Sequence, residues 1–292
     1  MNTLSKDLYD NSFKIAILDM YLGEPNQGKP GIYSIIHDFC AENNLKPIIR
    51  EYDTRGKGDV PDLNYDAYIS TGGPGSPIDT EGSQWEEAYF SFIEKLRQHN
   101  RLYPKKRKLL FLICHSFQIF VRHYGLGKLS KRKSTSFGIF PIHKTSDGKE
   151  DRYLEDLPDP FWAVDSRDYQ ITEPNEKALL LMGSKILCVE KLRPHVRLER
   201  AIMCMRLDQE IFGTQFHPEA NVEGMLTYLQ NPEKKKYIID TYGEDKYYDM
   251  LKKINDSDKI ILTRDTILMN FLKEANTIRK NNYMAYVQEV QR

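Results

Sequence analysis

Apolar positions recur in two rhythms along this chain. Up to about residue 134, short runs that are apolar on both faces alternate with longer stretches whose apolar residues return every three or four positions. The short runs are Lys14–Asp19 (KIAILD), Lys46–Tyr52 (KPIIREY), Asp66–Ser70 (DAYIS) and Lys108–Ile113 (KLLFLI). Strands of that kind belong in a parallel sheet covered on both sides, because each face must bury against something apolar. Between them, Ile32–Cys40 has helical spacing, and Gln84–Gln98 sets Trp85, Ala88, Tyr89, Phe92, Ile93 and Leu96 on one stripe. This alternation predicts an α/β fold, a doubly wound and mostly parallel sheet flanked by helices. In such a sheet, reactive groups gather beyond the carboxyl ends of the strands.

Past about residue 134 the runs shorten. Phe137–Ile142, Phe161–Val164, Leu179–Met182, Ile186–Glu190 and Ala201–Arg206 predict antiparallel or mixed strands. Ile211–Phe216 then returns to the core sheet and ends at His217, and Asn221–Gln230 predicts a helix. From Asn231 the composition turns to lysine, tyrosine and aspartate, with helical spacing at Tyr237–Asp240, Tyr247–Ile254 and Thr266–Ile278. Residues 13–230 are expected to form one domain. Residues 231–292 are expected to be a C-terminal helical extension, too poor in apolar side chains to bury a core alone. No internal repeat is present.

The strand prediction gives Cys114 its meaning. In Leu109–Gln118 (LLFLICHSFQ) an apolar strand stops at a cysteine and a helix follows at once. A thiol at that turn stands beside a helix N-terminus, where backbone N–H groups and the dipole favour the thiolate. About a hundred residues on, Gly213–Glu219 (GTQFHPE) supplies His217 as a base and Glu219 to orient it, completing a Cys–His–Glu triad. A tetrahedral oxyanion needs preorganised N–H donors. The backbone of His115 offers one, and Thr71–Pro77 (TGGPGSP) offers another near Gly73, where paired glycines allow close approach to a substrate. A lone cysteine at a strand end is ordinarily just buried, and a lone HPE is ordinarily a turn. The three segments together, each at the end of an independently predicted strand, make the stronger case.

Composition narrows the setting. Among 292 residues, 42 basic side chains balance 42 acidic ones, which gives no reason to expect nucleic acid or an anionic membrane as partner. The basic runs Lys105–Lys108 and Lys128–Lys133 are expected to be solvated faces or loop edges. Cys40, Cys188 and Cys204 sit in apolar surroundings as buried thiols, and the four cysteines form no CxxC pair, so no zinc site is expected. The N-terminal MNTLSKDLYDNS lacks a signal-peptide core, and no stretch approaches the roughly 20 apolar residues of a membrane span. A cytoplasmic protein with a small-molecule substrate and neither metal nor cofactor is the expectation. His37, His99, His123, His143 and His195 have no matching partners and are expected to be structural or exposed.

These segments resemble the class I glutamine amidotransferase-like family, most of all the amidotransferase domain of GMP synthases. Gly72, Gly73, Pro74, Gly75, Ser76 and Pro77, then Cys114 and Gln118, then Gly213, Gln215, Phe216, His217, Pro218 and Glu219 carry the resemblance, which spans roughly residues 13–230. It implies a flavodoxin-like sheet, a Cys114 thioester and attack on a γ-glutamyl amide. It also implies that Gln118 helps hold the substrate's amino-acid end. The family's polar S-H-x-D segment near that end is matched loosely by Ser166, Arg167 and Asp168. Arg167 offers a fork of N–H donors for a carboxylate there, with a plain surface turn as the other reading. The chain departs from the family's G-x-C-x-G elbow at Leu112 and Ser116, and Phe117 stands where a histidine is usual. A leucine at the elbow is expected to narrow or reshape the pocket. No ATP-pyrophosphatase segment appears within these residues, so a complete GMP synthase is not the expectation.

The leading expectation is therefore an amidohydrolase or glutamine amidotransferase. It would pass ammonia to a separate synthetase subunit or cleave a γ-glutamyl compound. Two alternatives stand beside it. Homoserine O-acyltransferases share this fold and triad, and His123–Gly127 (HYGLG) and Phe161–Arg167 (FWAVDSR) resemble them, although they lack the GGPGSP loop. The other is a catalytically silent homologue that binds a partner or small molecule, against which the intact Cys–His–Glu set argues.

Overall fold

The computed structural model describes residues 11–193, 198–256 and 258–290, so His195 and the first ten residues lie outside it. The chain opens with β1 (Ser12–Asp19), α1 (Gly28–Glu42), β2 (Lys46–Asp53), α2 (Thr54–Lys57), β3 (Ala67–Ser70), α3 (Gln84–Leu102), β4 (Leu109–Ile113) and α4 (His115–His123). It continues with β5 (Lys128–Lys144), α5 (Ser146–Lys149), β6 (Phe161–Thr172), α6 (Glu176–Met182), β7 (Lys185–Val189), β8 (Ile202–Arg206) and β9 (Ile211–Thr214). Helices α7 (Val222–Gln230), α8 (Pro232–Tyr242), α9 (Glu244–Ile254), α10 (Ile261–Arg264) and α11 (Ile267–Val290) follow.

All nine strands join one sheet in the order β2-β1-β3-β4-β9-β8-β7-β5-β6. The first five run parallel, and β8, β7, β5 and β6 extend the sheet by antiparallel pairing. This is the flanked, largely parallel α/β sheet that the alternation predicts. Period-two alternation in β4 sends Leu109, Phe111 and Ile113 to one face and Leu110 and Leu112 to the other. The first face is covered by α1 and α11, and the second by α3, α4 and α6. A smaller apolar cluster joins α7, α8 and α9 to Ile139 of β5 and Val164 of β6.

The last helix is part of the main core. Phe271 of α11 packs edge-on against Phe111 of β4 at 5.3 Å, and Phe111 also meets Phe212 of β9 at 5.3 Å. Removing a buried phenylalanine of this kind typically costs about 3–5 kcal/mol.

One expectation is corrected and a second refined. Leu179–Met182 is not a strand but the end of α6. Asn175 caps that helix by accepting from the Ala178 N–H at 3.2 Å, and Gly183 ends it in the left-handed region at φ 72°. Alanine and leucine favour a helix once both caps are present, and four apolar residues in a row carry no period to tell helix from strand. The basic run Lys128–Lys133 is the start of the long strand β5, paired with β6 from Lys128↔Thr172 onward. Its Lys128, Lys131 and Lys133 are exposed as expected of a solvated face, and only the Arg132 side chain departs from it, meeting Gln170 and Glu190. Cys40, Cys188 and Cys204 are buried free thiols, the last two opposite each other on β7 and β8. Among the described residues no helix is long and apolar enough to cross a membrane.

Candidate active site

Four adjacent parallel strands, β1, β3, β4 and β9, end at the same edge of the sheet, and the chain leaving each one enters the site. Met20 and Tyr21 follow β1, Thr71–Pro77 follows β3, Cys114 follows β4, and His217 lies just beyond β9. The register Ile113↔Thr214 sets the last two side by side. Cys114 has φ 48° and ψ −97°, a conformation that a residue with a side chain rarely adopts and that costs of order 1–3 kcal/mol. The surroundings enforce it. The Cys114 N–H donates to the Thr214 carbonyl at 2.7 Å, and the Gln118 N–H donates to the Cys114 carbonyl at 2.9 Å. Ser116, where the family pattern has glycine, accepts from the Ile113 N–H at 2.9 Å, and its hydroxyl reaches the Ser70 carbonyl at 2.9 Å. Serine here braces the elbow against β3.

The imidazole of His217 contacts both the sulfur of Cys114 and the carboxylate of Glu219. A methyl group at Gly72 would lie 3.1 Å from His217 Cε1 and 3.6 Å from Cys114 Cβ, so the two side chains converge on the bare Cα of that glycine. His217 Nδ1 meets Glu219 Oε1 at 2.8 Å, and the His217 N–H donates to the Val164 carbonyl at 2.9 Å. Cys114 Sγ lies 3.9 Å from the Ser166 carbonyl and accepts from Gln215 Nε2 at 3.5 Å. Burial by itself would lower the His217 pKa. The Glu219 carboxylate and the contact with Cys114 outweigh it and raise the pKa well above the ordinary imidazole value.

Glu219 is almost completely buried, and its Oε2 has no hydrogen-bond partner among the described residues. The carboxylate sits at the N-terminus of α1, where the helix dipole favours a negative charge. That approach depends on two glycines. A Cβ at Gly28 would lie 3.1 Å from Glu219 Oε1 and only 2.1 Å from the Tyr21 hydroxyl, and one at Gly31 would lie 2.1 Å from the Glu219 carbonyl oxygen. Tyr21 completes this wall. Burial, then the charge of Glu219, pushes its phenol pKa well up, so it stays a neutral hydroxyl.

The remaining predicted residues divide. Gly73 packs on the Met20 carbonyl, which a Cβ would approach to 2.4 Å. The loop carrying it is clamped from behind, since Arg55 donates to the Pro74 carbonyl and Arg122 to the Pro77 carbonyl and to Glu86. His115 is buried. Burial first, then the charges of Arg55 and Arg122, lowers its pKa to about 3, and its Nε2 has no partner among the described residues. Its side chain is therefore a neutral filler, while its backbone N–H stands at the first position of α4 without an intrahelical acceptor. Gln118 lies behind the sulfur, donating through Nε2 to Gln215 Oε1 at 2.9 Å and to the Tyr169 carbonyl at 3.4 Å.

Arg167 does not reach the triad. Its Nε donates to both Asp165 oxygens at 3.0 Å, and its two remaining nitrogens go to Glu190 at 3.2 Å and the Tyr169 carbonyl at 3.3 Å. Alternation along β6 buries Asp165 and Arg167 on one face and turns Val164 and Ser166 to the cleft. Asp168 accepts from the Thr135 hydroxyl. Leu112 is buried in the lower core beneath α4 and is absent from the cleft wall, so it does not narrow the opening. Phe117 packs against Gly213, where a Cβ would come within 2.5 Å of its ring. His123 stacks on Phe90 at 3.6 Å, which gives the HYGLG segment a structural role.

Sequence reasoning assigned no role to Tyr21, Gly28, Gly31, Arg55 or Arg122. For Tyr21 a signal existed, since it follows the carboxyl end of a predicted parallel strand. The other contacts are made across long separations and leave no local mark.

A cavity of 690 Å³ opens from His217 and Glu219. Its walls come from the loop before α1, from β5 and β6, and from α7, α8 and α9.

A family model described as glutamine amidotransferase class-I matches residues 28–232. Among solved structures, a glutamine amidotransferase from Thermotoga maritima is 16% identical over 90% of this chain and 97% of its own, with a TM-score of 0.63. A glutamine amido transferase from Methylobacillus flagellatus is 12% identical over 95% and 94%, with a TM-score of 0.50. The glutaminase domain of Trypanosoma brucei CTPS, solved with bound acivicin, is 12% identical over 71% and 86%, with a TM-score of 0.51. At these identities the structural likenesses speak for the fold alone. No curated protein matches the chain significantly.

Proposed function

Because this chain belongs to the class I glutamine amidotransferase family, we propose that it cleaves the γ-amide of glutamine or of a γ-glutamyl compound through a thioester on Cys114. One observation carries this reading: a cysteine at φ 48°, on an elbow between strand and helix, shares the space at Gly72 with an imidazole held by a buried glutamate at 2.8 Å.

The Cys114 thiolate attacks the γ-carbonyl carbon. The resulting oxyanion is received by the His115 N–H and by a donor of the Thr71–Pro77 loop near Gly73. His217, kept protonated by Glu219, gives its proton to the amide nitrogen, which leaves as ammonia or an amine. Water, deprotonated by His217, then hydrolyses the thioester and releases glutamate. Gln118 acts on the substrate through Gln215, whose amide touches the sulfur. In the glutamine version, the ammonia passes to a separate synthetase subunit. Residues 13–230 carry the chemistry, and residues 231–292 cover it and complete the cavity wall with Lys234 and Met250.

The test is intact mass after incubation with glutamine or γ-glutamyl amides. Wild type should gain one γ-glutamyl group and release glutamate, and Cys114→Ala should do neither while unfolding within about 1 kcal/mol of wild type. An adduct that persists on Cys114→Ala would remove the assignment.

A further inference from the structure

Glutamine leaves ammonia behind, and ammonia needs no binding site. The cleft beside His217 nevertheless holds 690 Å³, within the roughly 300–1,000 Å³ that serves drug-sized ligands and several times what glutamine fills. Its position identifies the half of the substrate it serves. Cys114 is only 6% exposed and does not line the cavity, whereas His217, the group that protonates the departing nitrogen, does. The space therefore belongs to the leaving amine.

The wall built by β5 and α7–α9 carries a group of aromatic and thioether side chains. Phe137 of β5 and Tyr228 of α7 stand 6.1 Å apart, with Met225 and Met250 beside them. Aromatic rings and thioethers favour a flat apolar body. The same wall carries Lys234 of α8, whose Nζ is 5.7 Å from the Tyr228 ring centre and has no carboxylate partner among the described residues. Behind this wall the ammonium of Lys246 lies against Gly138, where a Cβ would come within 2.5 Å of it, and it too has no ion pair among the described residues. Of the acids in the wall, Glu219 is held by His217, and Glu24 stands in the separate loop before α1.

Resting on the reading of Cys114 given above, we propose that the substrate is a γ-glutamyl conjugate of an amine that bears an aromatic ring and a negatively charged group. The ring lies against the exposed edges of the Phe137–Tyr228 pair, and the anion meets Lys234. Helices α7, α8 and α9 then set the specificity of the site.

Four probes separate the requirements: glutamine, γ-glutamylalanine, γ-glutamylphenethylamine and γ-glutamylphenylalanine. Each is followed by glutamate release and by mass of the Cys114 adduct. γ-Glutamylphenylalanine should exceed glutamine in kcat/KM by about tenfold or more. Lys234→Ala should lower the ratio of γ-glutamylphenylalanine to γ-glutamylphenethylamine about fivefold, the upper range for one exposed charge pair. Glutamine turned over as fast as the conjugates, or a ratio unmoved by Lys234→Ala, would overturn the proposal and leave the cysteine chemistry standing. If none of the four acylates Cys114, the cysteine assignment itself falls and the substrate proposal with it.

Discussion

Replacing Gly31 with alanine tests whether α1 sets the position of Glu219. The added methyl group would sit 2.1 Å from the Glu219 carbonyl oxygen and 3.1 Å from its carbonyl carbon. Ordinary contact begins near 3.4 Å, so the two backbones must separate by about 1.3 Å, the step from 2.1 to 3.4 Å. Backbone cannot rotate away as a flexible side chain can, and overpacking of this kind costs about 1–3 kcal/mol. The displaced residue is the one that holds His217 at 2.8 Å. A misplacement near 1 Å at a catalytic constellation costs about 100-fold in rate. Gly31→Ala should therefore lose about 100-fold in kcat/KM for glutamate release, although Gly31 lies one helical turn from the nearest cleft-lining residue of α1. Urea unfolding measured in parallel gives the stability cost. Ile36→Val, buried on the same helix, serves as a control that loses about 0.5–1.5 kcal/mol without touching Glu219. If Gly31→Ala is destabilised as expected but keeps its activity within threefold, α1 has moved instead of Glu219, and the reasoning fails.

Two further perturbations probe charge and strain. Glu219→Gln removes the group that holds the His217 pKa up, so the alkaline limb of the kcat/KM profile should move toward acid by about a unit or more. Because the folded pKa of His217 is raised, the associated stability is full below the unfolded value of about 6.5 and is lost as pH rises through the folded value. Glu219→Gln should flatten that fall in urea titrations between pH 6 and 9, and an unchanged slope would contradict it. Cys114→Gly should unfold about 1 kcal/mol later than Cys114→Ala, because only glycine occupies φ 48° and ψ −97° without strain. Equal midpoints would mean the elbow stores none.

The layout of the candidate site was legible where it is local. LLFLICHSFQ announces a strand, a cysteine elbow and a helix in ten residues, and GTQFHPE a strand and its histidine, because chain connectivity alone positions these groups. The parallel sheet was legible for the same reason, from runs apolar on both faces. What escaped was set by partners distant in sequence. Arg167 carries a guanidinium suited to a carboxylate, and Glu190, 23 residues on, shares it with Asp165, its neighbour on the same face of β6. Gly28 and Gly31 look like loop punctuation until Glu219, nearly two hundred residues later, settles against them. Leu179–Met182 failed for a different reason, since a short apolar run has no period and its fate was decided by caps at Asn175 and Gly183.

The packing of Phe271 on Phe111 also bears on how the chain comes to be active. Helix α11 begins about 150 residues after β4 ends. At a synthesis rate of roughly 5–20 residues per second, the strand that carries the nucleophile waits on the order of 8–30 s for its cover. During that interval the part of this face that α11 covers and α1 does not is open to solvent, to chaperones and to other nascent chains. Ribosome-bound chains stalled before residue 267 should accordingly be cut by protease near β4 and fail to accept a γ-glutamyl group, whereas chains that have released α11 should resist and react. In this protein, the order in which residues leave the ribosome makes closure of the central sheet the last step.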